Sequence, residues 1–354
     1  MQAMTETVTR VGTGTAGAAG AAGAAGADES FAALATRKEK REKTESYEAL
    51  IKRLSVKSVE KHFDAYEDIA WEAPEMQIRR DDPRWELSED DVLGATDWYK
   101  SQPQAVRAEI GLGEIVGSMK VGVVFESVLK RGLLEFAAGL PNRSPEFRYA
   151  YHEVIEEAQH SLMFQEFVNR SEMNPRGVDW ATRLGTRFVV RLGRVFPALF
   201  FFFVLGGEEP IDHVQKQAIK SGKDLHPLLK RIMQIHITEE ARHLCFARNY
   251  LTRNVPKLPY LRKVQLAVMV PFILGEMAKM MLEPSPTMIK RYQIPADVVR
   301  AAYTNNPKHK QTVRDSLRSV ADLCIELKLT DWRTAWLWVL LGLGNPLEGR
   351  ALTA

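Results

Sequence analysis

Glu156-Glu157-Ala158-Gln159-His160 returns, with one change, as Glu239-Glu240-Ala241-Arg242-His243. Each stretch contains Glu-x-x-His. Residues three apart lie on the same face of an α-helix, so the carboxylate and the imidazole of one motif can bind the same metal ion. Two short matches are only suggestive by themselves. Their positions relative to other glutamates decide how the chain folds.

A lone glutamate precedes each motif at the same distance. Glu126 lies 31 residues before Glu157, and Glu209 lies 31 residues before Glu240. The midpoint of each pair falls in a helix-breaking segment: 140–142 and 221–227. Residues equidistant from the turn of an antiparallel helix pair lie at the same height. The spacing therefore predicts two helical hairpins, which together bring four carboxylates and two histidines into the core of a four-helix bundle.

The first lone glutamate is better placed than its rival, Glu135. Glu126 shares a helix face with four apolar residues: Met119, Val123, Leu129 and Leu133. A charge pointing into apolar packing is costly unless it is paired or bound to a metal. Glu135 has Arg131 beside it, and its midpoint with Glu157 falls beyond the turn. We therefore favour Glu126.

The second lone glutamate has a closer rival, the adjacent Glu208. We favour Glu209, which precedes Pro210, because the missing proline N–H would loosen or kink the helix beside a ligand. Glu208 stays an alternative. We interpret Glu156 and Glu239 as acids outside the ligand set.

A third histidine adds to the second motif. His236, Glu240 and His243 stand at i, i+4 and i+7, which places them on successive turns of one helical face. An isolated histidine is more often a satisfied core or surface residue than a ligand. Beside a predicted metal site we interpret His236 as a seventh ligand.

Helical periodicity dominates from residue 44 onward, and alternating strand patterns are essentially missing. Long helices are predicted at 104–139, 145–171, 187–220, 226–253 and 257–282, with shorter ones at 44–68, 88–101, 295–304, 308–328 and 331–343. The prediction is an all-α protein with one helical domain over 31–354 and a metal-ligand core at about 104–253. Residues 1–30, rich in Gly and Ala, are predicted to be a disordered tail.

Composition excludes several classes of protein. The chain of 354 residues has 48 basic and 45 acidic side chains, a balance that argues against a nucleic-acid partner. Its apolar runs are too short, or too interrupted by charged residues, to predict a membrane span. The two cysteines, Cys245 and Cys324, cannot form a disulfide framework, which favours a cytoplasmic location. Carboxylate and imidazole ligands suit iron or manganese, whereas thiolate ligands would have indicated zinc or an iron–sulfur cluster.

The whole pattern resembles the AurF-like di-iron arylamine N-oxygenases, whose centre is described as four carboxylates and three histidines. The matching residues here are Glu126, Glu157, His160, Glu209, His236, Glu240 and His243. The resemblance implies a ferritin-like four-helix bundle with additional flanking helices. It also implies two iron ions per chain (manganese is possible) and O₂ activation through a peroxo-type oxidant. The expected reaction oxidises an aryl amine to hydroxylamine and nitro products.

The same resemblance implies a homodimer and an external electron donor, since the chain has no flavin, nicotinamide or ferredoxin motif. The alternative function is that of a di-iron acyl-chain desaturase or hydroxylase, which has a similar six-ligand site and a similar size. A ribonucleotide reductase subunit would carry a radical tyrosine one turn after the first motif, where this chain has Phe164. That residue argues against a reductase subunit.

Overall fold

The computed structural model describes residues 45–348. The predicted disordered tail at 1–30 lies outside these residues. The described part of the chain is all-α, as predicted, and contains no strand. Its helices are α1 (Tyr47–Glu60), α2 (Asp97–Lys100), α3 (Gln104–Ala138), α4 (Pro145–Arg170), α5 (Trp180–Val195), α6 (Pro197–Lys220), α7 (Pro227–Asn254), α8 (Tyr260–Leu282), α9 (Pro286–Arg291), α10 (Ala296–Val299), α11 (Pro307–Glu326) and α12 (Ala335–Leu340).

Four long helices form a ferritin-like core. Helix α3 pairs with α4, and α6 pairs with α7, so both predicted hairpins are present. Helix α1 packs against α4 and α7, and α5 lies along α3 and α6. Helices α8 and α11 cover α6 from outside. These additional helices keep the interior of the four-helix bundle away from solvent.

One predicted helix is in fact two. The sequence predicted a single helix over 187–220, but the chain breaks at Phe196, whose backbone is non-helical (φ −152°, ψ 66°). Pro197 is the reason, because a proline disfavours helical geometry in the residue before it and suits the first turn of a new helix. Helix α6 then continues through Pro210 without ending.

The predicted helix at 88–101 is also shorter than expected. Only Asp97–Lys100 is helical, and it begins where the Thr96 side chain accepts a hydrogen bond from the N–H of Tyr99. Upstream, the Asp91 carboxylate accepts hydrogen bonds from the N–H groups of Leu93 and Gly94. This side-chain turn competes with a helix for the same donors.

Aromatic packing and close helix contacts stabilise the half of the bundle next to α5. Phe200, Phe201 and Phe202 at the start of α6 are fully buried, and burial of each contributes about 1.5–3 kcal/mol. Helices α3 and α5 touch through glycines, since a Cβ on Gly193 would lie 2.0 Å from the carbonyl oxygen of Gly132. The metal-site helices are therefore held by tight packing at one end.

One segment of the described chain is long and apolar enough to cross a membrane. It is Tyr260–Arg291, with a mean hydropathy of 1.4 over its most apolar window, of which 33% is buried. A single such segment is weak evidence of a membrane protein, because core helices of soluble proteins pass the same test. Here α8 packs against α6, α11 and α12.

Candidate metal centre

Seven buried side chains from the four core helices gather inside the bundle. Groups of three among these residues and Glu153 place ligand atoms within 4.8 Å of one another. The seven are Glu126 from α3, Glu157 and His160 from α4, Glu208 from α6, and His236, Glu240 and His243 from α7. All seven are at most 2% exposed. Such burial of acids and imidazoles together is rare unless they are paired or bind metal.

The two Glu-x-x-His motifs meet face to face. The Nδ1 atom of His160 lies 3.1 Å from Glu157 Oε2 on its own helix and 3.5 Å from Glu240 Oε1 on the other. The Nδ1 atom of His243 lies 3.0 Å from Glu240 Oε1 and 3.0 Å from Glu157 Oε1. Each of these two carboxylates therefore lies close to the imidazoles of both motifs, so either could hold a metal ion together with both histidines.

His236 approaches three carboxylates, of which Glu240 is also close to the motif histidines. Its Nε2 atom lies 3.9 Å from Glu126 Oε1, 3.9 Å from Glu208 Oε2 and 3.8 Å from Glu240 Oε1. Its Nδ1 atom lies 3.1 Å from the amide oxygen of Gln215. Because that oxygen can only accept, Nδ1 carries the proton and Nε2 presents its lone pair to the carboxylates.

The acid that precedes each motif glutamate orients the histidine of the other motif. Glu156 Oε2 lies 2.7 Å from His243 Nε2, and Glu239 Oε2 lies 2.9 Å from His160 Nε2. Arg242 donates to both acids, at 2.7 Å and 3.3 Å. This crossed arrangement fixes both rings with Nδ1 facing inward, which is how carboxylates commonly support metal-bound histidines.

The structure places Glu208, not the predicted Glu209, among these residues. Glu209 instead forms an ion pair with Arg248. The two glutamates differ by only 1.5 Å in height along α6, but by about 100° around its axis. Counting residues from the turn measures height alone, so it could not separate them. The better signal was Gln215, seven residues after Glu208 and thus on the same face, which holds His236.

Sequence reasoning missed one further acid. Glu153, one helical turn before Glu157, is fully buried and forms a group with Glu157 and His243. Neither of its oxygens has a hydrogen-bond partner among the described residues. Burial, despite the nearby His243, raises the pKa of Glu153 to about 8. Its position one turn from a motif residue was the available signal.

The charges of the cluster fit two divalent cations. Burial and the neighbouring Glu157 raise the pKa of Glu126, and burial and Glu240 raise that of Glu208. Although burial opposes it, hydrogen bonds to Glu157 and Glu239 raise the pKa of His160 to about 10. The buried carboxylates therefore repel one another, and cations placed among them would relieve that repulsion. Two divalent cations would balance the charge of four carboxylates.

Carboxylate oxygens without hydrogen-bond partners also indicate that the cluster fits metal ions. Glu126 Oε2, Glu208 Oε1 and Glu240 Oε2 are buried and have no hydrogen-bond partner among the described residues. An unpaired buried carboxylate oxygen is costly, and a metal ion relieves the cost by accepting its lone pair. The mixture of carboxylate oxygen and imidazole nitrogen suits iron or manganese.

A cavity of about 700 Å³ adjoins one side of the cluster. Of the seven clustered residues, Glu126, Glu208 and His236 line it. Gly117 leaves open space in the cavity, since no neighbouring side chain lies within 4 Å of the place where its Cβ would be. The volume is ordinary for a small-molecule site. A substrate in this cavity would meet the metal centre on the His236 side.

The fold and this cluster define a ferritin-like protein with a buried set of carboxylates and histidines that could bind metal. The comparison with known families agrees, because residues 44–328 match the family described as p-aminobenzoate N-oxygenase AurF. The chain belongs to that family, as the sequence pattern predicted.

Relatives in Mycobacterium tuberculosis and Mycobacterium bovis are 35% identical over 306 residues, which is 86% of this chain and 90% of theirs. Both are described as uncharacterised proteins. No solved structure matches the chain.

Proposed function

We propose that the protein is a di-iron oxygenase that uses O₂ to oxidise the nitrogen of an aryl amine to a hydroxylamine or nitro group. The observation that carries the proposal is the buried cluster of four carboxylates and three imidazoles beside a cavity of about 700 Å³. The family description, p-aminobenzoate N-oxygenase, supports amine nitrogen as the reacting atom.

The proposed ligands are Glu126, Glu157, His160, Glu208, His236, Glu240 and His243. Glu208 replaces Glu209 in the set because Glu209 pairs with Arg248. Two irons, with manganese as the alternative, would supply the redox chemistry of O₂ activation. We further propose an external reductase as the electron donor, a homodimer as the assembly and the cytoplasm as the location.

The chain's own residues have separate tasks. Glu156, Glu239 and Arg242 hold the two motif histidines in one orientation, so that the site keeps its shape when charge changes. Gln215 holds the proton of His236 on Nδ1. Phe125, Phe164 and Met119 on the cavity wall exclude water from the reacting side.

Metal analysis is the first test. Purified protein should contain about two irons per chain, as the ligand count requires. The Glu166→Gln variant is the matched control for substitution of Glu157 on the same helix. Glu166 lies on α4 outside the cluster and pairs with Arg170. Wild-type protein with no bound metal, under conditions in which the chain is folded, would refute the proposal.

Product analysis is the second test. Anaerobically reduced protein is exposed to O₂ with a panel of aryl amines beside acyl substrates. Hydroxylamine and nitro products from the amines are expected, and a Glu157→Ala sample should give none. Oxidation of the acyl chains alone would favour the desaturase or hydroxylase function.

His236→Ala should alter any transient absorbing species seen after O₂ mixing. An unchanged transient would mean that His236 has only a structural role.

A further inference from the structure

The cavity beside the metal cluster has a second polar region. Glu114 on α3 lines it, as does Glu126, twelve residues further along the same helix. At 1.5 Å per residue their Cα atoms lie about 18 Å apart. The wall between the two acids is mostly apolar, with Ile115, Met119, Phe125, Phe164, Leu229 and Met233 among its residues. The cavity thus joins a metal-binding end to a separate acidic end.

Glu114 is poorly satisfied by the protein itself. Its Oε1 atom is buried and has no hydrogen-bond partner among the described residues. Tyr303, from the π-helical turn Arg300–Thr304, is the side chain that hydrogen-bonds its carboxyl group. Burial and the nearby Asp91 raise the pKa of Glu114 well above its usual value. Glu114 also lines the cavity, so a donor on a bound ligand that reaches the carboxyl group would satisfy it.

Several other charged residues that line the cavity are already paired. Lys308 Nζ lies 3.0 Å from Asp90, and Arg84 lies 2.6 Å from Asp82. His309 lies 3.7 Å from Glu283, and Lys223 donates to the carbonyl oxygen of Glu86. Asp91 accepts from two backbone N–H groups.

These pairings leave Glu114 as the acid at this end of the cavity whose oxygen lacks a donor. A positively charged donor would satisfy the oxygen and would favour the ionised forms of Glu114 and Asp91, whose pKa values burial raises.

We infer that Glu114, held by Tyr303, is a substrate-positioning residue that binds a cationic amine at the end of the substrate opposite to the nitrogen that is oxidised. The substrate class is then an elongated, mostly apolar aryl amine that carries a second, basic nitrogen. This inference rests on the proposed function for the identity of the reacting end. The head-group preference itself depends only on Glu114 and the cavity.

Binding to the full-length protein tests the inference with defined probes. The probes are anilines that carry a para-alkyl chain ending in an amine, a hydroxyl or a carboxylate. Calorimetry should show the aminoalkyl aniline binding about tenfold to a hundredfold tighter than the hydroxyalkyl aniline, which is the usual range for a hydrogen bond to a charged group. Glu114→Gln should remove most of that preference. Tyr303→Phe, which keeps the carboxylate but loosens it, should reduce the preference less.

Glu135→Gln is the matched control, because Glu135 lies on α3 and is not among the residues that line the cavity. Equal binding of the amine and hydroxyl probes to the wild type would overturn the inference. So would an unchanged preference in Glu114→Gln, or tightest binding of the carboxylate probe. If Glu114→Gln does not fold, an unchanged preference in Tyr303→Phe would likewise overturn the inference.

Metal content is measured on the same samples, so the two proposals fail separately. Protein without metal that still prefers the amine probe would refute the di-iron oxygenase and leave the role of Glu114 intact. Metal-loaded protein without the preference would do the reverse.

Discussion

The two hairpins of the bundle supply the same parts and differ in one addition each. Both provide a lone glutamate and a Glu-Glu-x-x-His stretch, and the first acid of each stretch bonds the histidine of the other. The α6/α7 hairpin adds His236, which lines the cavity, whereas the α3/α4 hairpin adds Glu153, which is not among the cavity-lining residues. The near-symmetry brings matched acids and histidines from both hairpins into one cluster, and the additions distinguish its two sides.

The largest expected effect comes from removing a glutamate that approaches the histidines of both motifs. Glu157 approaches His160 and His243, one on each hairpin, so Glu157→Ala should lose most metal from both positions. His243→Ala should be nearly as severe. Metal analysis after desalting measures the loss. Unchanged iron in both variants would mean that the hairpins do not share a site.

The neighbouring glutamates of α6 give the next largest contrast. Glu208→Gln should lose about half of the metal, since Glu208 contacts the cluster through His236. Glu209→Gln should keep the metal but lower the free energy of unfolding by about 1–3 kcal/mol, because it leaves Arg248 without its ion pair. Metal analysis and denaturant unfolding separate the two effects. The opposite pattern would restore Glu209 as the ligand.

The crossed acids test whether the hairpins are equivalent. Glu156→Gln and Glu239→Gln should each weaken metal affinity by about tenfold to a hundredfold, the usual cost of removing a partner of a metal-bound histidine. Competition with a chelator measures the affinity. Similar losses of metal affinity would support equivalent hairpins. A loss confined to one variant would show that the two hairpins make similar contacts but contribute unequally to metal binding.

The smallest effect belongs to the partner of His236. Gln215→Leu removes the acceptor of the Nδ1 proton but leaves the imidazole in place. Metal content should stay near the wild-type value, with a change in the visible spectrum of the metal-loaded protein. His236→Ala should change the spectrum more. A spectrum that responds to neither variant would remove His236 from the ligand set.

Height along the bundle was readable from the sequence, whereas the direction of the second lone glutamate around α6 was not. The equal spacing of 31 residues placed Glu126 level with Glu157, because turns and the rise per residue are local properties. The same count of residues from the turn fits Glu208 and Glu209 almost equally well. Arg248 decided between them, and its approach to Glu209 depends on how α7 packs against α6.

The sequence by itself determined that this chain is all-α, that its core is two helical hairpins, and that their acids and histidines converge. Periodicity, helix breakers and residue spacing are sufficient for that because they act within one hairpin. Tertiary structure decided that Glu208 rather than Glu209 faces inward, and it also set the crossed bonds of Glu156 and Glu239 and the cavity that reaches Glu114. Those features arise where helices distant in sequence pack against one another, and the local sequence pattern does not specify that packing.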